Sequence, residues 1–313
     1  MRLIKDKPNI DFLGRARRNI AVSISIVALV VSLASLFTRG LNLGIDFTGG
    51  ILLEVGYPGA ADLNEIRDSL SEAGFERFIV QEFGAADDVL VRLPPQPEAD
   101  SEAIRDSLFA ILSANEPDVE LLRVEVVSAQ VGEELTEQGG LAMIFSILMI
   151  FVYVMFRFQW KFAMGAVAAL AHDVIITIGF FSLTGISFDL SVVAAVLAVI
   201  GYSLNDTVVV FDRIRENFTR LRGVSPVESI NVSINEMLAR TIITGLTTLL
   251  VLTALLVLGG ESVGPFSIAL IVGIIVGTYS SIYIASATAL MLHVSPQDLM
   301  PPEQDPDLVD DLP

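Results

Sequence analysis

The chain has 313 residues, of which 53% are hydrophobic and 18% are charged, and its formal net charge is −18. A charged fraction below the ~25% of ordinary soluble domains, with a mean hydropathy of +0.66, argues against a soluble enzyme and against an acidic disordered chain. The absence of cysteine excludes disulfides, thiolate zinc sites and cysteine nucleophiles, and the acidity argues against nucleic-acid binding, which uses basic patches.

Six apolar stretches are long enough to cross a bilayer as helices, which takes about 20 apolar residues each. They cover residues 20–37, 141–156, 163–183, 190–211, 241–258 and 266–292. Three arginines precede the first stretch, so it could also be a cleaved signal peptide, but five further spans favour a retained helix. We therefore expect a polytopic α-helical membrane protein with six transmembrane helices.

Lysine and arginine are concentrated at one set of span ends. Of the 19 basic residues, 13 lie before the first span, between spans two and three, or between spans four and five. Such residues mark the cytoplasmic side of a membrane protein, so both termini are predicted to be cytoplasmic. The expected organisation is a cytoplasmic N-terminus (1–19), a first transmembrane helix (20–37), a periplasmic α+β domain with its connectors (38–138), a five-helix transmembrane region (139–292) and an acidic disordered cytoplasmic tail (293–313).

The segment 38–138 has the pattern of a small α+β domain. Apolar and alternating runs predict strands at 51–56, 77–83, 89–93 and 119–127, a turn at 85–88, and helices at 61–73 and 101–114. The order βαββαβ is that of the ferredoxin-like fold. The segment carries 21 acidic residues against 6 arginines, which fits a solvated surface, or a surface that avoids anionic lipid or guides cationic client segments.

Only two of the 37 acidic residues, Asp173 and Asp206, lie within the predicted spans. An ionised side chain at the bilayer centre costs about 2.5–3.5 kcal/mol on insertion scales, so such groups usually face a bundle interior and mark ion paths. His172 adjoins Asp173, and Arg240 begins span five on the same side of the membrane as Asp206, so that an ion pair is sterically plausible. Asn205 could orient the Asp206 carboxylate. The alternative interpretation is that all these groups are buried polar contacts between helices.

Small residues recur every four positions along span six. Among them are Gly273, Gly277 and Ser281, which predict a face for close helix packing. The sequence contains no Walker-type phosphate loop, no G-x-S-x-G motif and no metalloprotease histidine pair. No nucleotide, cofactor or metal site is therefore expected.

A glycine-rich stretch, GIDFTGG, follows the first span and contains Gly44, Asp46, Gly49 and Gly50. Its glycines suggest a phosphate-binding loop, but its predicted place outside the cell argues against a nucleotide. We interpret the stretch as a connector in which the backbone packs closely.

Four stretches of this sequence are similar to those of the SecF family, the smaller membrane subunits of the SecD–SecF complexes of bacterial protein export. They are GIDFTGG (44–50), AHDVIIT (171–177), VIGYSLNDTVVVFDRIREN (199–217) and RTIITGLTTL (240–249). Together with the six-span layout, the resemblance extends over nearly the whole chain.

The resemblance implies a multi-pass subunit in the bacterial inner membrane, from the resistance-nodulation-division superfamily, in contact with membrane lipid and with no nucleic acid or nucleotide ligand. It implies a heterodimer with SecD, association with the SecYEG translocon and YajC, and unfolded preproteins as clients. The implied role is not enzymatic: a proton or sodium gradient drives late steps of export.

The same resemblance assigns the coupling role to the aspartate of the NDT motif and to the arginine that opens the next span, here Asp206 and Arg240. Two alternatives stay open at this point. One is a subunit of an ion-coupled transporter of small molecules or lipids from the same superfamily, and the other is a structural scaffold.

Overall fold

The computed structural model describes residues 9–75, 77–95, 101–114, 116, 118–221 and 223–295. Its helices are α1 (Arg15–Thr38), α2 (Ile45–Thr48), α3 (Leu63–Glu72), α4 (Ser101–Leu112), α5 (Ala129–Arg157), α6 (Trp160–Thr184), α7 (Leu190–Arg220), α8 (Pro226–Leu258), α9 (Gly264–Ser280) and α10 (Ser286–Met291). A 3₁₀ turn (Glu261–Val263) precedes α9, and a π turn (Ser281–Ala285) joins α9 to α10. The strands are β1 (Gly50–Gly56), β2 (Ile79–Phe83), β3 (Ala85–Leu93) and β4 (Glu120–Val127). The predicted acidic tail lies outside the described residues from residue 296 onward.

Six helices are long and apolar enough to cross a membrane, namely α1, α5, α6, α7, α8 and the continuous run of α9 and α10, which confirms the predicted number of spans. The centre of this bundle contains the fully buried rings of Phe162, Phe181 and Phe211. α1 packs along α6, where the hydroxyls of Ser35 and Ser182 lie 2.8 Å apart. This packing favours a retained α1 over the signal-peptide interpretation.

Several helices continue well beyond their apolar spans, and their true ends are set by caps. Ser225 caps α8 by accepting a hydrogen bond from the Glu228 amide, with Pro226 in the first turn. α7 continues to Arg220, so only a short turn separates the two helices. Arg240 therefore lies in the middle of a 33-residue helix and not at a helix start. Ser128 caps α5 in the same way, through the Val131 amide.

Strands β1 to β4 form one antiparallel sheet in the order β2-β3-β1-β4, with α3 and α4 in the two crossovers. We call these elements the small domain, and the end of the bundle to which it is attached the domain end. The order is that of the ferredoxin-like fold, as the sequence predicts. The core contains Leu53, Val91, Leu70 and Leu108, all fully buried, so that both helices cover one face of the sheet.

The predicted turn at 85–88 is wrong, because these residues belong to β3. The hairpin turns at Gly84 alone, whose φ of +82° suits glycine, and Phe83 pairs with Ala85 after a register shift. The carbonyl of Asp87 accepts a hydrogen bond from the Tyr57 amide. The polar side chains of this stretch are the exposed part of a strand, which a sequence pattern does not distinguish from a turn.

Candidate functional site in the membrane helices

Asp206 lies on α7 and is bound by hydroxyl groups from two neighbouring elements. Thr241 of α8 donates to Oδ1 at 2.8 Å, and Ser281 of the π turn donates to Oδ2 at 2.8 Å. A hydroxyl can donate to a carboxylate and can also accept from a carboxylic acid. The same two partners can therefore serve both protonation states of Asp206, which suits a group that exchanges a cation.

Asn205 adjoins Asp206 in the sequence and Arg240 adjoins its partner Thr241, and both Asn205 and Arg240 are exposed on the bundle surface. Among the described residues Arg240 makes no ion pair, so the expected contact with Asp206 is not formed in this conformation. Its neighbour Thr241 donates a hydrogen bond to this carboxylate instead. The Arg240 side chain therefore stays available to a group outside this chain, although Arg240 adjoins a hydrogen-bond donor of Asp206.

Asp173 on α6 is fully buried and has three partners. Ser203 of α7 and Ser280 of α9 donate to Oδ2 at 2.6 and 2.7 Å, and His172 Nδ1 lies 3.0 Å from Oδ1. The other ring nitrogen of His172, Nε2, is buried with no hydrogen-bond partner among the described residues. The imidazole stacks on Tyr279, with ring centroids 6.2 Å apart.

Two glycines of α9 allow these helices to approach. A Cβ on Gly273 would overlap with the side chain of Val199 on α7. A Cβ on Gly277 would lie 3.1 Å from the Cβ of Ser203 and 3.5 Å from Oδ2 of Asp173. The predicted small-residue face thus forms the contact between α7 and α9. Ser281, which the sequence places on this packing face, also donates a hydrogen bond to Asp206.

The first half of the GIDFTGG connector is fixed to the start of α7. The Gly44 amide donates to the Phe188 carbonyl at 2.8 Å, and the carboxylate of Asp46 accepts a bond of 2.8 Å from the Leu190 amide. The first amides of a helix lack partners within it, so Asp46 satisfies one of the free donors of α7.

The second half of the connector needs glycine for two reasons. Gly49 and Gly50 have φ values of +68° and +122°, a region that side chains disfavour. A Cβ on Gly49 would also lie 2.9 Å from the backbone of Ala129 at the start of α5, and one on Gly50 would overlap with the Leu93 carbonyl. On its path from α1 to β1, the connector therefore packs its backbone closely against α5 and β3.

Two arginines of the small domain contact the domain end of the bundle. Arg92 on β3 donates to the Leu43 carbonyl at 2.8 Å and to the Ser187 hydroxyl at 3.2 Å, and Arg123 on β4 donates to the Ser262 hydroxyl at 2.8 Å. Burial lowers the pKa of Arg92, an effect that nearby acidic groups oppose. These arginines attach the sheet to loops that carry the membrane helices.

The sequence patterns missed most partners of the two acids. Ser203 and Ser280, which bond Asp173, and Thr241, which bonds Asp206, stand out in none of the sequence patterns described above. The available signal was the polar Ser280–Ser281 pair within an apolar span. Over the part of the chain that the structure describes, no cluster of three histidine or acidic residues could hold a metal.

Comparison with known proteins identifies the family. Residues 108–295 match the family model for the C-terminal region of the SecD/SecF protein export membrane proteins, and residues 34–57 match that of the SecD/SecF GG motif. The second match contains the connector described above.

Curated relatives match along nearly the whole chain. The protein translocase subunit SecF of Pseudomonas aeruginosa is 49% identical over 97% of this chain and 98% of that protein. The SecF subunit of Vibrio alginolyticus is 47% identical, over 96% of this chain and 95% of its own.

Solved structures are similar as well. SecDF from Thermus thermophilus, described as a translocon-associated membrane protein, matches with a TM-score of 0.83 and 37% identity, over 94% of this chain but 40% of that longer chain. A structure of SecDF in a super-membrane-facing form gives a TM-score of 0.67 at 38% identity. The family model, the near full-length relatives and the shared fold agree, and the chain belongs to the SecF family of Sec protein-export membrane subunits.

Proposed function

We propose that this chain is the ion-coupled SecF partner of a SecD subunit and uses the proton or sodium gradient to drive late steps of preprotein export. The observation that carries the proposal is the carboxylate of Asp206, held within a membrane helix by the hydroxyls of Thr241 and Ser281. A carboxylate in the membrane is costly, by about 2.5–3.5 kcal/mol on insertion scales, and usually lies on an ion path.

The exposed polar face next to Asp206 supports a partner within the membrane. Asn205 on α7 and Arg240 on α8 are exposed on the bundle surface, and Gly201 adds a small residue to the same region. Hydrocarbon cannot satisfy a guanidinium or an amide, so these groups need polar partners from another protein. SecD is the partner that fits these groups. In the SecDF structure, the part similar to this chain makes up 40% of a single polypeptide, so a SecF-like part and the remainder are covalently joined there.

The distribution of basic residues supports the proposed orientation. Arginines 15, 17 and 18 lie in the first turn of α1, and arginines 213, 215 and 220 lie near the end of α7, all away from the small domain. By the positive-inside rule this end is cytoplasmic and the small domain is periplasmic. The location that follows is the bacterial inner membrane, with both termini in the cytoplasm. In this membrane the chain can contact SecYEG and YajC, and preproteins emerge on the periplasmic side, next to the small domain.

The gradient supplies an energy of the size that a conformational change needs. Moving one elementary charge across the membrane yields about 2.3 kcal/mol per 100 mV. A two-state helix bundle responds to an energy of this size. We propose that the binding and release of a cation at Asp206, with Arg240 as the competing charge, shifts the bundle, and that no reaction is catalysed by this chain.

The test is gradient-driven export in proteoliposomes that contain the translocon and the SecD–SecF complex, with Asp206→Asn. The asparagine amide resembles the carboxylate in shape, but it carries no negative charge with which to bind H⁺ or Na⁺. We therefore expect the gradient-dependent part of export to be lost with either ion. Asp212→Asn, on the same helix, is the matched control, since Asp212 only pairs with Arg157 at 2.8 Å. Undiminished stimulation in the Asp206 variant would refute the proposal, and comparison of H⁺ with Na⁺ gradients in the wild type identifies the ion.

A further inference from the structure

Three consecutive residues of α9 and the π turn bind three different parts of the bundle. Tyr279 donates its hydroxyl to the Ala21 carbonyl of α1 at 2.6 Å. Ser280 donates to Asp173 of α6 at 2.7 Å, and Ser281 donates to Asp206 of α7 at 2.8 Å. We call Tyr279, Ser280 and Ser281 the α9 junction. It is a direct connection between the two membrane acids and the helix that leads to the small domain.

The local helix geometry explains why three neighbours can do this. Successive side chains of a helix point about 100° apart, so three in a row cover more than half of the circumference. The π turn begins at Ser281, and such wide turns occur frequently at functional sites. Both serines are fully buried, while Tyr279 is half-buried and also accepts a bond of 3.1 Å from Ser25 on α1.

Each serine has a second acceptor within its own helix. The Ser280 hydroxyl lies 3.1 Å from the Gly277 carbonyl, and that of Ser281 lies 3.0 Å from the Thr278 carbonyl. An acid that is protonated on the oxygen facing the serine can donate its one proton to that serine, and the serine hydrogen then turns to the carbonyl. A change of charge on either acid can in this way change the hydrogen bonding of the α9 backbone next to Tyr279.

The ionisable groups packed against the α9 junction are few among the described residues. α6 contributes Asp173 and His172, α7 contributes Asp206, and Tyr283 lies with its ring centroid 5.1 Å from that of Tyr279. α1 contributes the hydroxyl of Ser25 at Tyr279 and the charge of Arg17, which acts on Tyr283. α8 contributes the neutral Thr241, which donates to Asp206.

We propose that the α9 junction transmits the charge state of Asp206 and Asp173 to α1, and through α1 to the small domain. Its members are positioning residues for ion coupling, and this inference rests on the proposed function of Asp206. The connection to α1 is specific, because the tyrosine hydroxyl reaches a backbone carbonyl and not only a side chain. The GIDFTGG connector leads from α1 into β1, and its close backbone contacts with α5 and β3 hold it in place.

The experiment measures the response of α1 to an ion gradient in the full-length SecD–SecF complex in proteoliposomes. Spin labels are attached at Phe37→Cys and Leu258→Cys, at the domain ends of α1 and α8, where the natural side chains are 87% and 83% exposed. The chain has no natural cysteine, so only these two sites in it react. In the otherwise unchanged chain we expect the gradient to change the distance distribution between the labels.

Tyr279→Phe, Ser280→Ala and Ser281→Ala should each lose this gradient-dependent change. Matched controls are Tyr283→Phe, whose hydroxyl makes no hydrogen bond among the described residues, and Ser267→Ala and Ser286→Ala, whose buried hydroxyls also have no partner there. The controls should keep the change. An equal loss in the controls would overturn the inference, because the effect would then follow from removing any hydroxyl from the helix.

Asp206→Asn in the labelled chain separates this inference from the proposed function. If Asp206→Asn abolishes the distance change while the three junction variants respond like the wild type, the coupling role of Asp206 stands and the α9 junction is wrong. If Asp206→Asn itself responds like the wild type, the proposed function fails first. Thermal unfolding of each variant in detergent checks that the loss of response is not a loss of fold.

Discussion

At the scale of single residues, the two membrane acids differ in how completely their hydrogen bonds are satisfied. Asp173 is fully buried with three partners, whereas Asp206 is partly exposed with two hydroxyl partners. A partly exposed carboxylate exchanges an ion with its surroundings more readily than a fully buried one. We therefore expect Asp206 to respond to the gradient directly and Asp173 to respond through the serines.

Thr241→Val tests the contribution of one ligand of Asp206. Valine has nearly the shape of threonine but cannot donate to the carboxylate, and a hydrogen bond to a charged group contributes about 1.5–3 kcal/mol. We expect gradient-driven export to fall by about tenfold or more, since 1.4 kcal/mol corresponds to a factor of ten. The control is Thr244→Val, because Thr244 donates only to the Arg240 carbonyl of its own helix. Similar losses of export in both variants would show that the hydrogen bond from Thr241 to Asp206 is not the cause of the loss.

This pair of threonines also shows what the sequence can and cannot predict about the site. The two acids are recognisable because a charge within an apolar span is costly and therefore rare. Hydroxyls are not costly in a helix, since they can donate to a carbonyl four residues earlier, as Thr244 does. Thr241 and Thr244 look alike in the sequence, and only the packing of α7 against α8 selects Thr241 as a ligand.

Glu54 on β1 gives the small domain a pH dependence of defined sign. Burial raises the pKa of this carboxyl, Arg123 opposes the shift, and Asp88 and Glu125 reinforce it. A raised folded-state pKa favours the protonated form, so this contribution to stability is complete below the unfolded pKa and is lost as pH rises through the folded pKa.

Glu54→Gln should remove that part of the pH dependence and slow hydrogen exchange of the β1 amides at neutral pH. The measurement is exchange in the full chain, corrected for intrinsic rates, between acidic and neutral pH. Glu82→Gln, at an exposed position of β2, is the control. Identical pH profiles for the wild type and Glu54→Gln would contradict the assigned burial effect.

At the scale of elements, apolar runs predict which helices exist but not where they end. The run that predicts span five begins at residue 241, whereas α8 begins at Pro226. The additional turns are stabilised by contacts that no local pattern shows, such as the buried carboxylate of Glu236, which pairs with Arg213 at 2.6 Å and with Arg220 at 2.9 Å. The predicted turn at 85–88 failed for a related reason, since pairing in a sheet depends on distant partners.

Gly273→Ala tests the close contact of α7 with α9. The added methyl group would overlap with Val199, and overpacking of this kind costs about 1–3 kcal/mol. We expect a lower melting temperature in detergent, and Val199→Ala in the same chain should restore much of the loss. Gly264→Ala is the control, because a Cβ there meets no atom within 4 Å. A failure of Val199→Ala to rescue would show that the loss does not arise at this contact.

At the scale of the whole molecule, the ferredoxin-like small domain and the bundle could both be predicted from the sequence, but the way they are joined could not. The segment 38–138 is strongly acidic, which suggests repulsion and solvation. The structure shows instead that two of its few arginines, Arg92 and Arg123, attach it to the bundle.

Arg92→Ala should loosen this attachment, because it removes the hydrogen bonds to the Leu43 carbonyl and the Ser187 hydroxyl at once. Spin labels at Ser71→Cys on α3 and Leu258→Cys on α8 report the distance between the small domain and the bundle. We expect a broader distance distribution in the variant, with unchanged hydrogen exchange in the core of the domain. The matched control is Arg67→Ala, since Arg67 bonds only within the domain, to Asn64 and to the Val80 carbonyl. If both variants broaden the distribution equally, the broadening does not arise from the contacts of Arg92 with Leu43 and Ser187, and the attachment assigned to Arg92 is wrong.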